Sequence, residues 1–359
     1  MKRVLDLVRP DLRDFAGYAS ARRAKVTGTV WLNANESPLP SPADPGLGLN
    51  RYPEPQPAAL RERMAQLYGV PAQCLMVTRG SDEGIDLLVR AFCRAGQDAV
   101  VTVPPCFGMY AVCARVQNAP LIEVPLKESD GQWLFDIPGM LAAVSERGAR
   151  VVFVCSPANP TGQALSLEQI RALAQALEGR AVLVIDEAYG EFSSVESASR
   201  LLPDYPHLVV LRTLSKAYAL AGARIGALLA DAEVVAVLRN LSAPYPVPAP
   251  SAALALAALS EAGVEEARRR VHDCVHERDI LAPALERIAG IRRVYRSEGN
   301  YLLLRFDDAE SAFQNLLAAG VVVRDMRAMA QLHDALRISI GTAEENRMLL
   351  AALQTGVVA

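Results

Sequence analysis

The sequence predicts an α/β fold: a large domain with a mostly parallel, doubly wound sheet, followed by a smaller α+β domain. Three observations predict it. Apolar runs such as "VVFVC" (151–155) and "VLVI" (182–185) are continuous rather than alternating, as strands covered on both faces are. These runs alternate with segments of helical periodicity, the pattern of a parallel sheet layered by helices. After about residue 245 the pattern changes to long helices and then short strands mixed with helices.

Taken in order, "MKRVLDLVRPDLRDF" mixes charges with short apolar steps and lacks the apolar core of a secretory signal. Nowhere do about 18 apolar residues run uninterrupted, so no membrane span is expected and a cytoplasmic location is. Residues 33–57, "NANESPLPSPADPGLGLNRYPEPQP", carry too many prolines and glycines for a helix or strand and read as an extended connector. "PAALRERMAQLYG" is a helix, "CLMVTRG" a strand, and "SDEGIDLLVRAFC" a helix with Ser81 as N-cap and an acidic first turn. "DAVVTVPP", "PLIEVPL", "ARVVFVC", "RAVLVID", "HLVVLRT" and "RIGALLA" are strands. "FGMYAVCARV", "PGMLAAVSERG" and "SLEQIRALAQALEG" are helices between them. Beyond residue 245 come two long helices, strands at "IRRVY", "NYLLLRF", "GVVVRDM" and "ALRISIG", and a last helix.

The net charge of −3 and pI near 5.9 exclude a basic surface suited to nucleic acid or an anionic membrane. Six cysteines without a CxxC read as buried thiols in a reducing compartment. "HDCVH" (272–276) puts two histidines on one helix face with no further ligand nearby. It reads as a partly exposed helix face, and no metal is expected.

Ligands of an open α/β sheet bind at the carboxyl ends of its strands, and the residues there are informative. In "RGSDEG" (79–84) a glycine turn leads into a helix, so the amides of Ser81, Asp82 and Glu83 form an anion site, although an ordinary capped helix has the same look. "SPANPTG" (156–162) is a sharp loop that projects Asn159 or simply turns the chain. Asp186 in "VIDEAYGEF" follows a strongly apolar run, so its buried carboxylate needs a cation or strong donors, or else caps its own loop. Tyr189 lies three residues on. "TLSKAYALAGARIG" (213–226) adds Thr213, Ser215 and Arg224 as anion donors around Lys216, whose amine beside an apolar run needs a partner, a shifted pKa or a covalent bond.

Together these describe a site for a flat, phosphate-bearing heterocycle with a protonated ring nitrogen and an aldehyde. That is pyridoxal 5′-phosphate (PLP), bonded to Lys216 with Asp186 on the ring nitrogen. At these residues the chain resembles the fold-type I PLP-dependent aminotransferases: "NPTG", "DEAY" and "SKAYALAGARIG" match, including the spacing of eight from Lys216 to Arg224. "GYASARR", "LNANE", "RYPEPQP", "VVVRDM" and "LRISIGT" resemble the histidinol-phosphate aminotransferase branch of that family.

The resemblance implies a homodimer that moves an amino group between histidinol phosphate and 2-oxoglutarate/glutamate. Lys216, Asp186 and Tyr189 are the catalytic residues it implies. Ser81, Asp82, Glu83, Phe107, Asn159, Thr213, Ser215, Arg224 and Tyr52 join them around the cofactor, Tyr52 reaching across the dimer. Tyr18, Asn35, Asn159, Arg324 and Arg337 bind substrate. It also implies residues 1–44 as an arm joining the smaller domain, 45–247 as the large domain and 248–359 as the small one. Ala158 replaces an asparagine common in the family, and Phe107 replaces a tyrosine that stacks on the ring. An aromatic amino-acid aminotransferase, a phosphothreonine decarboxylase and a PLP-binding regulator would use the same scaffold.

Overall fold

The computed structural model describes residues 3–18 and 28–355. Between the connector and residue 116 the chain forms α1 (Ala58–Tyr68), β1 (Leu75–Thr78), α2 (Gly80–Phe92), β2 (Ala99–Thr102) and α3 (Met109–Val116). There follow β3 (Leu121–Glu123), β4 (Lys127–Ser129), β5 (Gln132–Leu134), α4 (Ile137–Arg147), β6 (Ala149–Cys155), α5 (Leu167–Leu177), β7 (Val182–Asp186), β8 (Leu208–Thr213), β9 (Gly226–Leu229) and α6 (Ala232–Leu241). Two helices, α7 (Ala249–Ala258) and α8 (Glu261–Leu285), lead to β10 (Ile291–Val294), β11 (Tyr301–Phe306), α9 (Ala309–Ala318), β12 (Arg324–Asp325), β13 (Ala335–Ser339) and α10 (Ala343–Thr355).

Seven strands form one sheet in the order β1-β9-β8-β7-β6-β2-β3, parallel except that β9 runs antiparallel to both neighbours. Every residue of β7 and β8 is buried, which accounts for the unbroken apolar runs 182–185 and 208–211. Alternate side chains serve two separate cores. Val152, Val154, Leu183, Ile185 and Val210 pack under α1, α4, α5 and α7, while Val151, Phe153, Val182, Val184 and Val209 pack under α2, α3 and α6. A second sheet, β10-β11-β13-β12, is wholly antiparallel and has its own core around Leu285, Leu304, Leu316 and Leu336.

Four features differ from the sequence reading. Helix α2 begins at Gly80 with Arg79 as its cap, so Ser81 is not the N-cap. The Glu83 carboxylate turns back to accept the Arg79 N–H at 2.7 Å. The β4–β5 hairpin turns at Asp130 and Gly131, both with positive φ (51° and 76°), a "DG" signal present in the sequence. Of "GVVVRDM", only Arg324 and Asp325 pair as a strand. Finally, the first residues do not join the smaller sheet. Val4, Leu7 and Val8 are buried in the core under α2 and α6, and the Arg9 amide donates to Ala91 O, because these apolar steps complete the cover of the larger sheet.

Leu303, Met326 and Ala335 of the small sheet's region pack into the core of the large one, and two longer elements tie the sheets as well. Helix α8 is roughly 37 Å long at 1.5 Å per residue. It puts Val264 into the core of the larger sheet and Leu281 and Leu285 into that of the smaller. The β4–β5 hairpin reaches across as well. Buried Trp133 packs on Tyr295 with centroids 5.7 Å apart, and Arg305 joins Glu128 (2.7 Å), the Tyr295 hydroxyl (2.6 Å) and Asp334. Among the described residues no helix is long and apolar enough to cross a membrane.

Replacing Trp133 with Ala removes that contact and leaves a cavity beside the Arg305 cluster. The expected loss is about 3–5 kcal/mol in urea unfolding. A loss below about 1 kcal/mol would show that the hairpin does not tie the two sheets together.

Candidate active site

Three adjacent parallel strands, β6, β7 and β8, end at one cavity of about 150 Å³. Cys155 and Asn159 come from the end of β6, Asp186 and Tyr189 from that of β7, and Thr213, Ser215 and Lys216 from that of β8. Ser81, Asp82, Phe107 and Arg224 close the remaining sides. The loop after β7 is locked onto strand β8 by a buried cation: Arg212 donates to Glu187 and Glu191, both at 2.6 Å.

One end of the cavity is built for an anion. The turn between β8 and β9 carries Arg224 in the left-handed region (φ 55°) and aims its guanidinium at Ser215 Oγ (3.3 Å) and Asp82 Oδ2 (3.1 Å). The Thr213 hydroxyl donates to Ser215 Oγ at 2.9 Å. Two glycines make room. A Cβ on Gly226 would lie 2.6 Å from Gly80 C and 2.8 Å from Ser81 N, and one on Gly80 would lie 2.4 Å from the Arg224 guanidinium. Hydroxyls, a guanidinium and the N-terminus of α2 in one glycine-lined end form a donor set that fits a phosphate ester. Asp82 contributes through its amide and as the partner of Arg224, since its carboxylate would repel an anion. Glu83 is occupied with its own cap. The apolar run beyond Lys216 is only partly packed: Ala217 is buried, while Ala219, Ala221 and Gly222 are exposed.

In the middle of the cavity stands Asp186, 2% exposed. Its Oδ2 accepts from the Tyr110 hydroxyl at 2.8 Å and its Oδ1 from the Ala188 N–H at 3.1 Å. Burial pushes the carboxyl up to about 6, and the two donors hold it from going further. Phe107 forms part of the wall, edge-on to Tyr110. The Cys155 thiol, in register with Asp186, is held well above its usual range by burial.

Lys216 Nζ sits 5.6 Å from the centroid of the Tyr189 ring. Burial first, and then the Arg337 charge, lower its pKa, so its amine is more readily neutral than an ordinary lysine's. Tyr189 is buried, packs edge-on against Tyr301, and its hydroxyl accepts from Asn159 Nδ2 at 3.4 Å. Arg337, on β13 of the smaller sheet, donates through Nη1 to Asn159 Oδ1, while its buried Nε–H has no protein partner. Arg324 faces Arg337 directly across β12 and β13.

The single chain does not bring every candidate to the cavity. Tyr18 and Tyr52 are exposed at 65% and 51%, and Asn35 is exposed with φ 55°. Tyr52 instead stacks on Tyr245 at 4.5 Å. The connector has no helix or strand to carry it inward and is ordered around Glu36, which accepts from Arg51 at 2.9 Å and from the Tyr52 amide at 2.7 Å. Conversely, the sequence reading missed Tyr110, Cys155 and Tyr301. Tyr110 lies three residues after Phe107, the spacing of one helical face, so that signal was present. Tyr301, whose hydroxyl donates to Ala158 O at 2.7 Å, comes from the other sheet and carried no local signal.

The Aminotransferase class I and II family matches residues 21–353. A curated relative, histidinol-phosphate aminotransferase of Xanthomonas euvesicatoria pv. vesicatoria (strain 85-10), is 57% identical over 351 residues, covering 98% of this chain and 97% of the relative. Among solved structures, histidinol-phosphate aminotransferase from Sinorhizobium meliloti in complex with pyridoxal-5′-phosphate superposes with a TM-score of 0.77 at 26% identity, over 86% of this chain and 83% of that one. L-threonine-O-3-phosphate decarboxylase from Porphyromonas gingivalis shares the fold, with a TM-score of 0.74 at 22% identity over 87% of this chain and 92% of that one.

The elevated pKa of Asp186 has a thermodynamic consequence. Folding favours its protonated form, so its contribution to stability is complete below the unfolded value near 3.8 and is lost as pH rises through about 6. With the cofactor stripped, unfolding free energy is expected to fall by about 2 kcal/mol from this group between pH 4 and 7. Asp186→Asn is expected to remove that part of the slope in urea titrations run across the range. An unchanged slope would mean that Asp186 ionises as an ordinary surface carboxylate.

Proposed function

Because the chain belongs to the class I and II aminotransferases, we propose that it transfers the amino group of L-histidinol phosphate to 2-oxoglutarate, yielding imidazole-acetol phosphate and glutamate in histidine biosynthesis. The observation that carries this reading is the cavity itself, where an amine of lowered pKa, a buried carboxylate and a phosphate-type donor set meet at the ends of adjacent strands. Pyridoxal 5′-phosphate is the cofactor that these residues fit. When bound, it supplies an aldehyde for the amino group and a protonated ring that takes up the electrons left when the substrate Cα loses its proton.

The chain's own residues do the rest. Arg224, Ser215, Thr213, Ser81 and the first amides of α2 hold the phosphate. Asp186 would accept from the protonated ring nitrogen, Phe107 would wall the ring, and Asn159 and Tyr189 would serve the ring oxygen. Lys216 is the amine that would bond the aldehyde, and its lowered pKa would suit it to move the Cα proton. Two arginines face each other across β12 and β13, and like charges so placed repel unless an anion lies between them. A guanidinium binds phosphate or carboxylate equally well, so one site at Arg337 and Arg324 serves the phosphate of one substrate and the carboxylate of the other.

The active form is a homodimer. Tyr52, Tyr18 and Asn35 stand outside the cavity in one chain, and a second copy is the source of such groups for each site. Exposed Leu39, Leu47 and Leu49 on the connector, with Val30 and Leu32 just before it, suit a covered surface.

An assay offering histidinol phosphate, phenylalanine and aspartate as donors to 2-oxoglutarate is expected to favour the first. Lys216→Ala is expected to abolish turnover and the visible absorbance of the bound cofactor. Preference for phenylalanine would reassign the substrate, and release of carbon dioxide without a keto acid would make the enzyme a decarboxylase. The shared site has its own test. Tyr52→Phe is expected to weaken cofactor retention by roughly 1.5–3 kcal/mol at most. Subunit exchange between Lys216→Ala and Tyr52→Phe chains puts both defects in one site and neither in the other, so activity at limiting cofactor is expected to recover. No recovery, or an active monomer in sedimentation, would contradict the dimer.

A further inference from the structure

Tyr110 touches two walls of the cavity, and the chemistry above makes no use of it. Its side chain is fully buried, with 0% exposure. Its ring lies flat on Phe153, centroids 4.8 Å apart and planes 8° from parallel, and meets Phe107 edge-on at 5.7 Å and 86°. These contacts leave the phenol little freedom, and its hydroxyl reaches Asp186 Oδ2 at 2.8 Å. The Ala188 N–H takes the other oxygen at 3.1 Å, so each carboxylate oxygen has one protein donor and keeps acceptor capacity for a donor in the cavity.

The other groups around Asp186 do not fill this role. Asp82 and Glu187 are acidic and oppose its ionisation, whereas Lys216 is a cation that favours it. Cys155, Tyr189 and Tyr301 are held neutral by burial. Among the described side chains, the Tyr110 hydroxyl is the donor seated on the carboxylate.

We propose that Tyr110 is a positioning residue: its hydroxyl fixes the plane of the Asp186 carboxylate and holds it ionised for a protonated ring nitrogen, while its ring sets the angle of the Phe107 wall. This rests on the reading of Asp186 as the partner of the ring nitrogen. Removing the hydroxyl leaves the same buried carboxylate with a single donor, so it turns more freely and ionises only at higher pH.

The test uses full-length protein stripped of cofactor and titrated calorimetrically from pH 6 to 9 with pyridoxamine 5′-phosphate, which has no aldehyde and so does not bond to Lys216. Tyr110→Phe is expected to bind it roughly tenfold more weakly. The pH at which affinity is gained is expected to move upward, together with the absorbance of the bound ring. Phe153→Leu keeps the hydroxyl but loosens the ring, and is expected to move the profile the same way by less. Asp186→Asn is run beside them and is expected to lose both the affinity and its pH dependence. Normal binding by Asp186→Asn would overturn the reading of Asp186 itself. If Asp186→Asn is impaired while Tyr110→Phe binds within about twofold of the parent with an unmoved profile, the role of Tyr110 is refuted and that of Asp186 stands. A lower melting temperature in Tyr110→Phe with unmoved affinity and profile refutes it as well, as would an unmoved profile in Phe153→Leu should Tyr110→Phe fail to fold.

Discussion

Asp186 closes a strand whose five residues are all buried, and its carboxylate is held by a phenol and a backbone amide rather than by a salt bridge. An ionised carboxylate in such surroundings is costly, so the residues near it are arranged to limit that cost without removing it. Tyr110 supplies a hydroxyl, Ala188 an amide, and the remaining acceptor capacity faces the cavity. An acid poised near 6 ionises at neutral pH and does so more completely when a cation arrives. Lys216 lies just beyond the next strand, with its pKa displaced downward chiefly by burial and then by the Arg337 charge. Loss of hydration thus raises the acid and lowers the base, bringing the two closer together in pKa.

The larger sheet supplies the residues that line the cavity and the smaller one supplies Arg337, so the position of Arg337 beside the cavity depends on how the two are joined. Helix α8 is shared by both cores, and between them Val271 and Cys274 pack behind Tyr189, Ala217 and Tyr301. On the other side the β4–β5 hairpin grips Tyr295 and Arg305. These contacts place Arg337 against Asn159 although the two residues are 178 positions apart. The Arg212–Glu187–Glu191 cluster works similarly at shorter range. Removing either charge of such a pair would strand the other indoors, so it holds the loop after β7 against strand β8 in one arrangement.

Much of this was legible beforehand, for reasons of period and spacing. Strands buried on both faces leave unbroken apolar runs, and β6, β7 and β8 did. Ligand groups of a parallel sheet follow the strands' carboxyl ends, which put Asn159, Asp186, Tyr189, Ser215 and Lys216 within a few residues of a readable strand. The turn of the Glu83 carboxylate back onto the Arg79 amide was not legible, because a helix start does not say where its side chains point. The hairpin at 127–134 was missed because each strand is only three residues long and reads as loop.

The sequence by itself determined the α/β class, the layering of the large sheet, the strand ends where the candidate site lies, and the acid, the amine, the hydroxyls and the guanidinium found there. All of these are carried by local periodicity or by residues close to a strand terminus. Only the tertiary structure decided which side chains meet. It seated Tyr110 on Asp186, brought Tyr301 and Arg337 from the second sheet, packed Val4–Val8 on the first, and left Tyr52, Tyr18 and Asn35 outside the cavity of one chain. Such contacts depend on how helices pack and how two sheets are joined, and no local pattern in a chain records the distance between residues far apart along it.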